Sequence, residues 1–196
     1  MPQISQAVKE DHALVRKEFH RLLDAKPDER DHPNDFIWAL DRYLIVEDLV
    51  LTPALDNHVA HGGERHRRLS ADYDSVSVGH GSLQFSWGVN KQFWQMNTKL
   101  RHMRQFDPSD ASFEAALRAI WVDLEPHIRE EASSDLDQLE EGMSQAESEA
   151  LGRKYQNIKQ LLQKPYGKDG TPDARTLSAI LEMPRQELMT KIGVSG

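Results

Sequence analysis

The stretch WVDLEPHIREEASSDLDQL, residues 121–139, decides how this chain is read, because its polar residues fall where an amphipathic helix should be apolar. At helical spacing Phe113, Leu117, Ile120, Leu124, His127 and Glu131 share one face, so an apolar stripe runs for three turns and then becomes an imidazole and a carboxylate. A histidine four residues before a glutamate places both side chains about one turn apart on that face. The pair suits two ligands of one metal ion or an acid/base couple, and it also occurs on solvated helices, so its weight depends on whether other helices repeat the interruption.

Two other helices do. From Ile4 to Leu23 the stripe is Val8, Val15, Phe19 and Leu22, and the position it skips is His12, with Asp11 beside it either orienting the ring or in solvent. After a turn holding Pro27 and Pro33, with Asn34 as the expected cap, FIWALDRYLIVEDLVLTPAL (36–55) aligns Phe36, Leu40, Tyr43, Glu47, Val50 and Ala54. Tyr43 and Glu47 therefore face inward among apolar neighbours, and Pro53 is expected to kink or end the helix. Counted from the turn, His12 and Glu47 lie at the same height, roughly 16 Å along their helices at 1.5 Å per residue.

Composition narrows the functions open to such a bundle. The 196 residues suit one domain, or one domain with a short appendage. A formal charge of -8 leaves no basic footprint for nucleic acid or an anionic membrane. With no cysteine, any metal would be held by imidazole and carboxylate. No signal-like or membrane-spanning run is present, so a cytoplasmic protein is expected.

The middle and end of the chain carry weaker signals. His58, His61 and His66 lie among glycines and arginines and read as surface residues, and SVSVGHGSLQFSWG (75–88) reads as an irregular insertion able to act as a lid. A third long helix resumes with Val89, Phe93, Met96, Leu100 and Met103 and stops before Asp107-Pro108, after which Ser109 or Asp110 caps the fourth. Opposite His127 and Glu131 this helix offers Trp87, Asn90 and Lys91 but no histidine, and Ser75 reaches that height only if the 75–88 segment folds over. Ser144 to Lys164 forms an amphipathic helix along Leu151, Tyr155, Ile158 and Leu162, and two short helices follow, around Arg175 to Glu182 and after Pro184. The division expected is a four-helix unit over 1–142 and a helical cap over 143–196, too short for a core of its own.

These residues carry a resemblance. KEDHALVRKEF (9–19), the second helix from Asn34, HIREEASSDLDQLEE (127–141) and LGRKYQNIKQLLQKPYG (151–167) are similar to the hemerythrin-like HHE cation-binding family, its fungal members in particular. The resemblance implies an all-α fold, an antiparallel four-helix bundle with a C-terminal helical extension, enclosing a two-iron site of histidines and bridging carboxylates. His12 then matches the first-helix histidine, Glu47 the second-helix carboxylate, and His127 and Glu131 the fourth-helix pair. Tyr43 stands where the family has its second-helix histidine, and Trp87 or Ser75 falls at the third-helix one.

Three readings follow. In the first, His12, Glu47, His127 and Glu131 hold iron, manganese or zinc. In the second, favoured by the exchange of a metal ligand for the phenol of Tyr43, the core binds a small organic molecule without a cofactor. Tyr43, Glu47, His127 and Glu131 would then be the catalytic acids and bases, and Trp87, Trp94 and His12 would contact the substrate. Such a protein would be a cyclase, isomerase or lyase, which the resemblance places in fungal specialised metabolism. In the third, the polar groups only satisfy one another in a structural or partner-binding protein. Tryptophans in the insertion would fit a homodimer.

Overall fold

The computed structural model of the chain describes residues 2–31, 33–59 and 91–162, with positions 187 and 190 beyond them. Every regular element among these residues is helical. The elements are α1 (Ile4–Asp24), α2 (Pro33–Val46), α3 (Thr52–His58), α4 (Lys91–Met103), α5 (Ala111–Glu130), α6 (Leu136–Glu141) and α7 (Gln145–Leu161). None of the described helices is long and apolar enough to cross a membrane.

The apolar stripes pack as their spacing predicts. α1 lies against α2 and α7, and α4 lies against α5. Val8, Val15, Phe19 and Leu22 of α1 are buried in one core with Phe36, Leu40 and Tyr43 of α2 and with Phe113, Leu117, Ile120 and Leu124 of α5. Phe19 stacks on Trp121, centroids 4.0 Å apart and rings nearly parallel, which fixes the C-terminal part of α1 against the middle of α5. Arg30, in the turn after α1, is buried and donates to the Leu22 and Pro108 carbonyls and to Glu114. It thereby ties the α1–α2 turn to the α4–α5 turn.

Two details depart from expectation. Pro33 opens α2, leaving Asn34 inside the helix, because a proline in the first turn has no N–H to leave unpaired. Pro53 does not stop the helical run. Glu47–Leu51 is a π-helical turn in which the Thr52 N–H reaches the Glu47 carbonyl, so Pro53 falls in the first turn of α3, where its missing N–H breaks nothing. A second π-helical turn, Glu131–Asp135, joins α5 to α6, with the Leu136 N–H on the Glu131 carbonyl.

The N-terminus of α1 has no cap of its own, since Gln3 makes no capping bond. Its first N–H groups are satisfied from elsewhere, that of Ile4 by Ser148 Oγ at 3.2 Å and that of Ser5 by Glu140 Oε1 at 3.1 Å. α7 carries its own capping box at Ser144 and Glu147 and approaches α1 closely at Gly152, where a Cβ would meet the Pro2 carbonyl at 2.4 Å.

Candidate functional site

The inward polar positions of α1, α2 and α5 converge. Tyr43 Oη donates to Glu131 Oε2 at 2.6 Å, and His12 Nε2 meets the same oxygen at 2.7 Å. His127 Nε2 lies 3.1 Å from Tyr43 Oη, 3.5 Å from Glu47 Oε1 and 4.0 Å from Glu131 Oε2. The His12 ring meets the Tyr43 ring edge-on at 5.3 Å. Five residues predicted from sequence are therefore one cluster. His12, Tyr43, Glu47 and Glu131 are buried, while the His127 side chain is 10 % exposed and forms the cluster's outer edge. The direct partner of His12 is Glu131, while Glu47 lies against His127.

Both carboxylates begin a π-helical turn. A wide turn inserts one residue relative to α-helical register, so the side chains that follow each carboxylate are re-aimed, while those of the cluster keep the register of the helix before them. Sequence periodicity does not show this, because the stripes on either side of the insertion remain apolar. Pro126 lies inside α5 and has no N–H to give the Val122 carbonyl, and Val122 is itself exposed.

The electrostatics set a proton distribution. Burial raises the Tyr43 hydroxyl well above its ordinary value, and the charges of Glu131 and Glu47 push it further, so the phenol stays a donor. Burial would lower His127, but Glu47, Glu131 and Asp135 outweigh it and bring the imidazole up to about 9. Glu131 goes the other way: burial would raise it, yet hydrogen bonds from His12 and Tyr43 and the charges of His127 and His12 leave it lowered. The cluster holds an ionised carboxylate between a neutral phenol and a cationic imidazole. Two buried atoms are without a hydrogen-bond partner among the described residues, Glu131 Oε1 and His12 Nδ1.

The spacing bears on metal binding. Two ligands of one ion bound at 2.0–2.1 Å stand roughly 2.9–3.3 Å apart in octahedral or tetrahedral geometry. His12 Nε2 and Glu131 Oε2, at 2.7 Å, are placed to share a proton and are too close for that arrangement. Among the described residues no group of three or more histidine, aspartate or glutamate side chains is set to hold an ion. Among the described residues the donors as they stand do not form a two-iron cage.

Other sequence expectations resolve differently. His58 is exposed, as predicted; His61, His66, Ser75, Trp87, Asn90 and the whole 75–88 segment lie outside the described residues, as do the side chains of Trp94 and Lys91. Asp11 neither orients the His12 ring nor faces solvent. It is buried and accepts from Tyr155 Oη at 2.9 Å and Lys159 Nζ at 2.6 Å, both on α7. The available signal was Tyr155, a hydroxyl within an apolar stripe like Tyr43. Asp41, on α2, is fully buried with neither carboxylate oxygen bonded among the described residues. Burial raises it well above the ordinary carboxylate range, against the pull of Arg104.

No protein-family model matches the chain, and no solved structure matches it. Among curated proteins it is similar to a hemerythrin-like protein of Schizosaccharomyces pombe, itself described as uncharacterised, with 23 % identity over 164 residues, covering 83 % of this chain and 71 % of that protein.

Proposed function

We propose that this chain is a hemerythrin-like protein of the fungal type whose interior site works without metal, as an acid/base centre acting on a small organic molecule. The fold proposed is an antiparallel four-helix bundle over 1–142, made by α1, α2 with α3, α4 and α5 with α6, capped by 143–196. The similarity to the yeast protein and the link that Arg30 makes between the two interhelical turns support it. The observation that carries the functional reading is the meeting of Tyr43 and His12 on one oxygen of Glu131, at 2.6 and 2.7 Å. A phenol in place of a ligating imidazole supplies a proton where the family supplies a lone pair.

The roles follow from the charges. Glu131 is the base, and the proton it takes from a substrate carbon or hydroxyl is balanced by one given to a substrate oxygen from His127 or Tyr43. Glu47 faces His127 and stabilises its charge. Such a step consumes no oxidant and suits isomerisation, cyclisation or loss of water. The test uses the parent, Tyr43→Phe and Glu131→Gln, each shown folded by circular dichroism, against a panel of small enolisable carbonyl compounds. Turnover by the parent that is lost in both variants supports the reading, and turnover equal in all three refutes it.

A second reading has its own observation. His127 stands 3.5 Å from Glu47 and 4.0 Å from Glu131, and Glu131 Oε1 lacks a hydrogen-bond partner among the described residues, so a change of side-chain rotamers could turn these three groups onto one ion. Glu47, His127 and Glu131 would then hold one iron, manganese or zinc ion, with His12 as a fourth ligand only after its bond to Glu131 is broken.

A further inference from the structure

We infer that Lys159 and Tyr155 of α7 are positioning residues for the centre: by pinning the Asp11 carboxylate they set the rotation of α1 that aims His12 at Glu131. This inference rests on the acid/base reading of the cluster. Asp11 and His12 are consecutive in α1, so their side chains leave the helix about 100° apart at one level. At that level α1 is held from two directions, by Lys159 Nζ and Tyr155 Oη on Asp11 and by Glu131 on His12. A rotation of roughly 10° would carry an imidazole nitrogen near the helix surface, about 6 Å from the axis, by about 1 Å, enough to break a 2.7 Å hydrogen bond.

These contacts are not alone in docking α7. The Ser148 bond to Ile4 and the close approach of Gly152 to Pro2 also join it to the start of the chain, about two turns or more from Asp11. The Lys159–Asp11 pair is instead a local, water-poor constraint, with side chains 11 % and 3 % exposed, so salt screens it little. Tyr155 is fully buried, and its hydroxyl is raised first by burial and by Asp11, then by the charges of Glu131 and Glu47. The field of the centre therefore reaches α7, which the sequence pattern presented only as a cap.

The test reads His12 itself and needs no substrate. Full-length protein with nitrogen-15-labelled histidine is compared by NMR as parent, Lys159→Gln, Tyr155→Phe, Lys159→Arg and Ser148→Ala. The expected result is loss of the downfield His12 Nε2–H resonance in Lys159→Gln and Tyr155→Phe, its return in Lys159→Arg, and no change in Ser148→Ala, which loosens α1 from α7 but leaves Asp11 held. A His12 signal unchanged in folded Lys159→Gln and Tyr155→Phe overturns the inference. Should Tyr155→Phe fail to fold, Lys159→Gln decides alone, since Lys159 reaches the solvent edge. Equal loss in Ser148→Ala also overturns it, because general loosening would then explain the effect. Absence of the resonance from the parent would instead refute the hydrogen-bonded cluster on which the acid/base reading stands.

Discussion

Replacing Tyr43 by Phe removes one oxygen, and with it the bond to Glu131 and the contact with His127, so the link to Glu131 is isolated by pairing this change with one at Glu131. The bond lost is 2.6 Å long, buried at both ends and accepted by a carboxylate held ionised. A hydrogen bond to a charged group contributes about 1.5–3 kcal/mol, and Glu131 Oε2 keeps its contact with His12, so the variant should lose about 2 kcal/mol. In a chain of 196 residues that is a fall of roughly 4–8 °C in Tm. Glu131→Gln weakens two charge-assisted bonds and sets an amide N–H2 where Oε1 lacks a partner among the described residues, which costs about 3 kcal/mol. Because the two changes break one shared bond, the double variant should be less destabilised than their sum, by about 1–2 kcal/mol. Urea unfolding followed by circular dichroism at neutral pH gives all four corners of the cycle. Additivity to within about 0.5 kcal/mol, or a Tyr43→Phe variant as stable as the parent, would refute the Tyr43–Glu131 link.

Three further outcomes follow. His127 is raised in the folded protein from 6.5 to about 9, so the folded state binds more protons between those values; its contribution, at most roughly 3 kcal/mol, is present below pH 6.5 and lost as pH rises through about 9, and His127→Gln should flatten the unfolding curve there. Asp41, buried and raised, disfavours the folded state once ionised, so Asp41→Asn should stabilise by about 1 kcal/mol at neutral pH and lose that advantage in acid, as chemical unfolding at both pH values will show. Phe19→Ala opens a cavity against Trp121 and should cost about 3–5 kcal/mol in urea unfolding while leaving the His12 and His127 ring signals in place.

Much of this was legible in the residues. A period of 3.6 in three helices, each broken by a polar group at one height, located His12, Tyr43, Glu47, His127 and Glu131, because only an inward site gives a polar residue that phase. What periodicity does not encode is which groups touch. Counting placed His12 level with Glu47, yet it bonds Glu131, because which of several inward groups meet is set by how the helices pack, not by the spacing within each one. Asp11 looked ambiguous because its partners, Tyr155 and Lys159, lie 144 and 148 residues away on a helix whose docking is a tertiary fact. Pro53 is expected from the sequence to kink or end its helix; the helical run goes on, through a π-helical turn just before it, because that turn puts the proline in the first turn of α3.

As proposed, the cluster shares protons without metal at the place where the hemerythrin-like resemblance implies iron. The most direct test is metal per chain, by mass spectrometry on protein purified without a metal-affinity tag and then incubated anaerobically with ferrous iron. The account predicts metal well below one ion per chain in a folded sample, with no difference between the parent and Glu131→Gln. Near-stoichiometric iron, manganese or zinc in the parent, lost in Glu131→Gln, would contradict it.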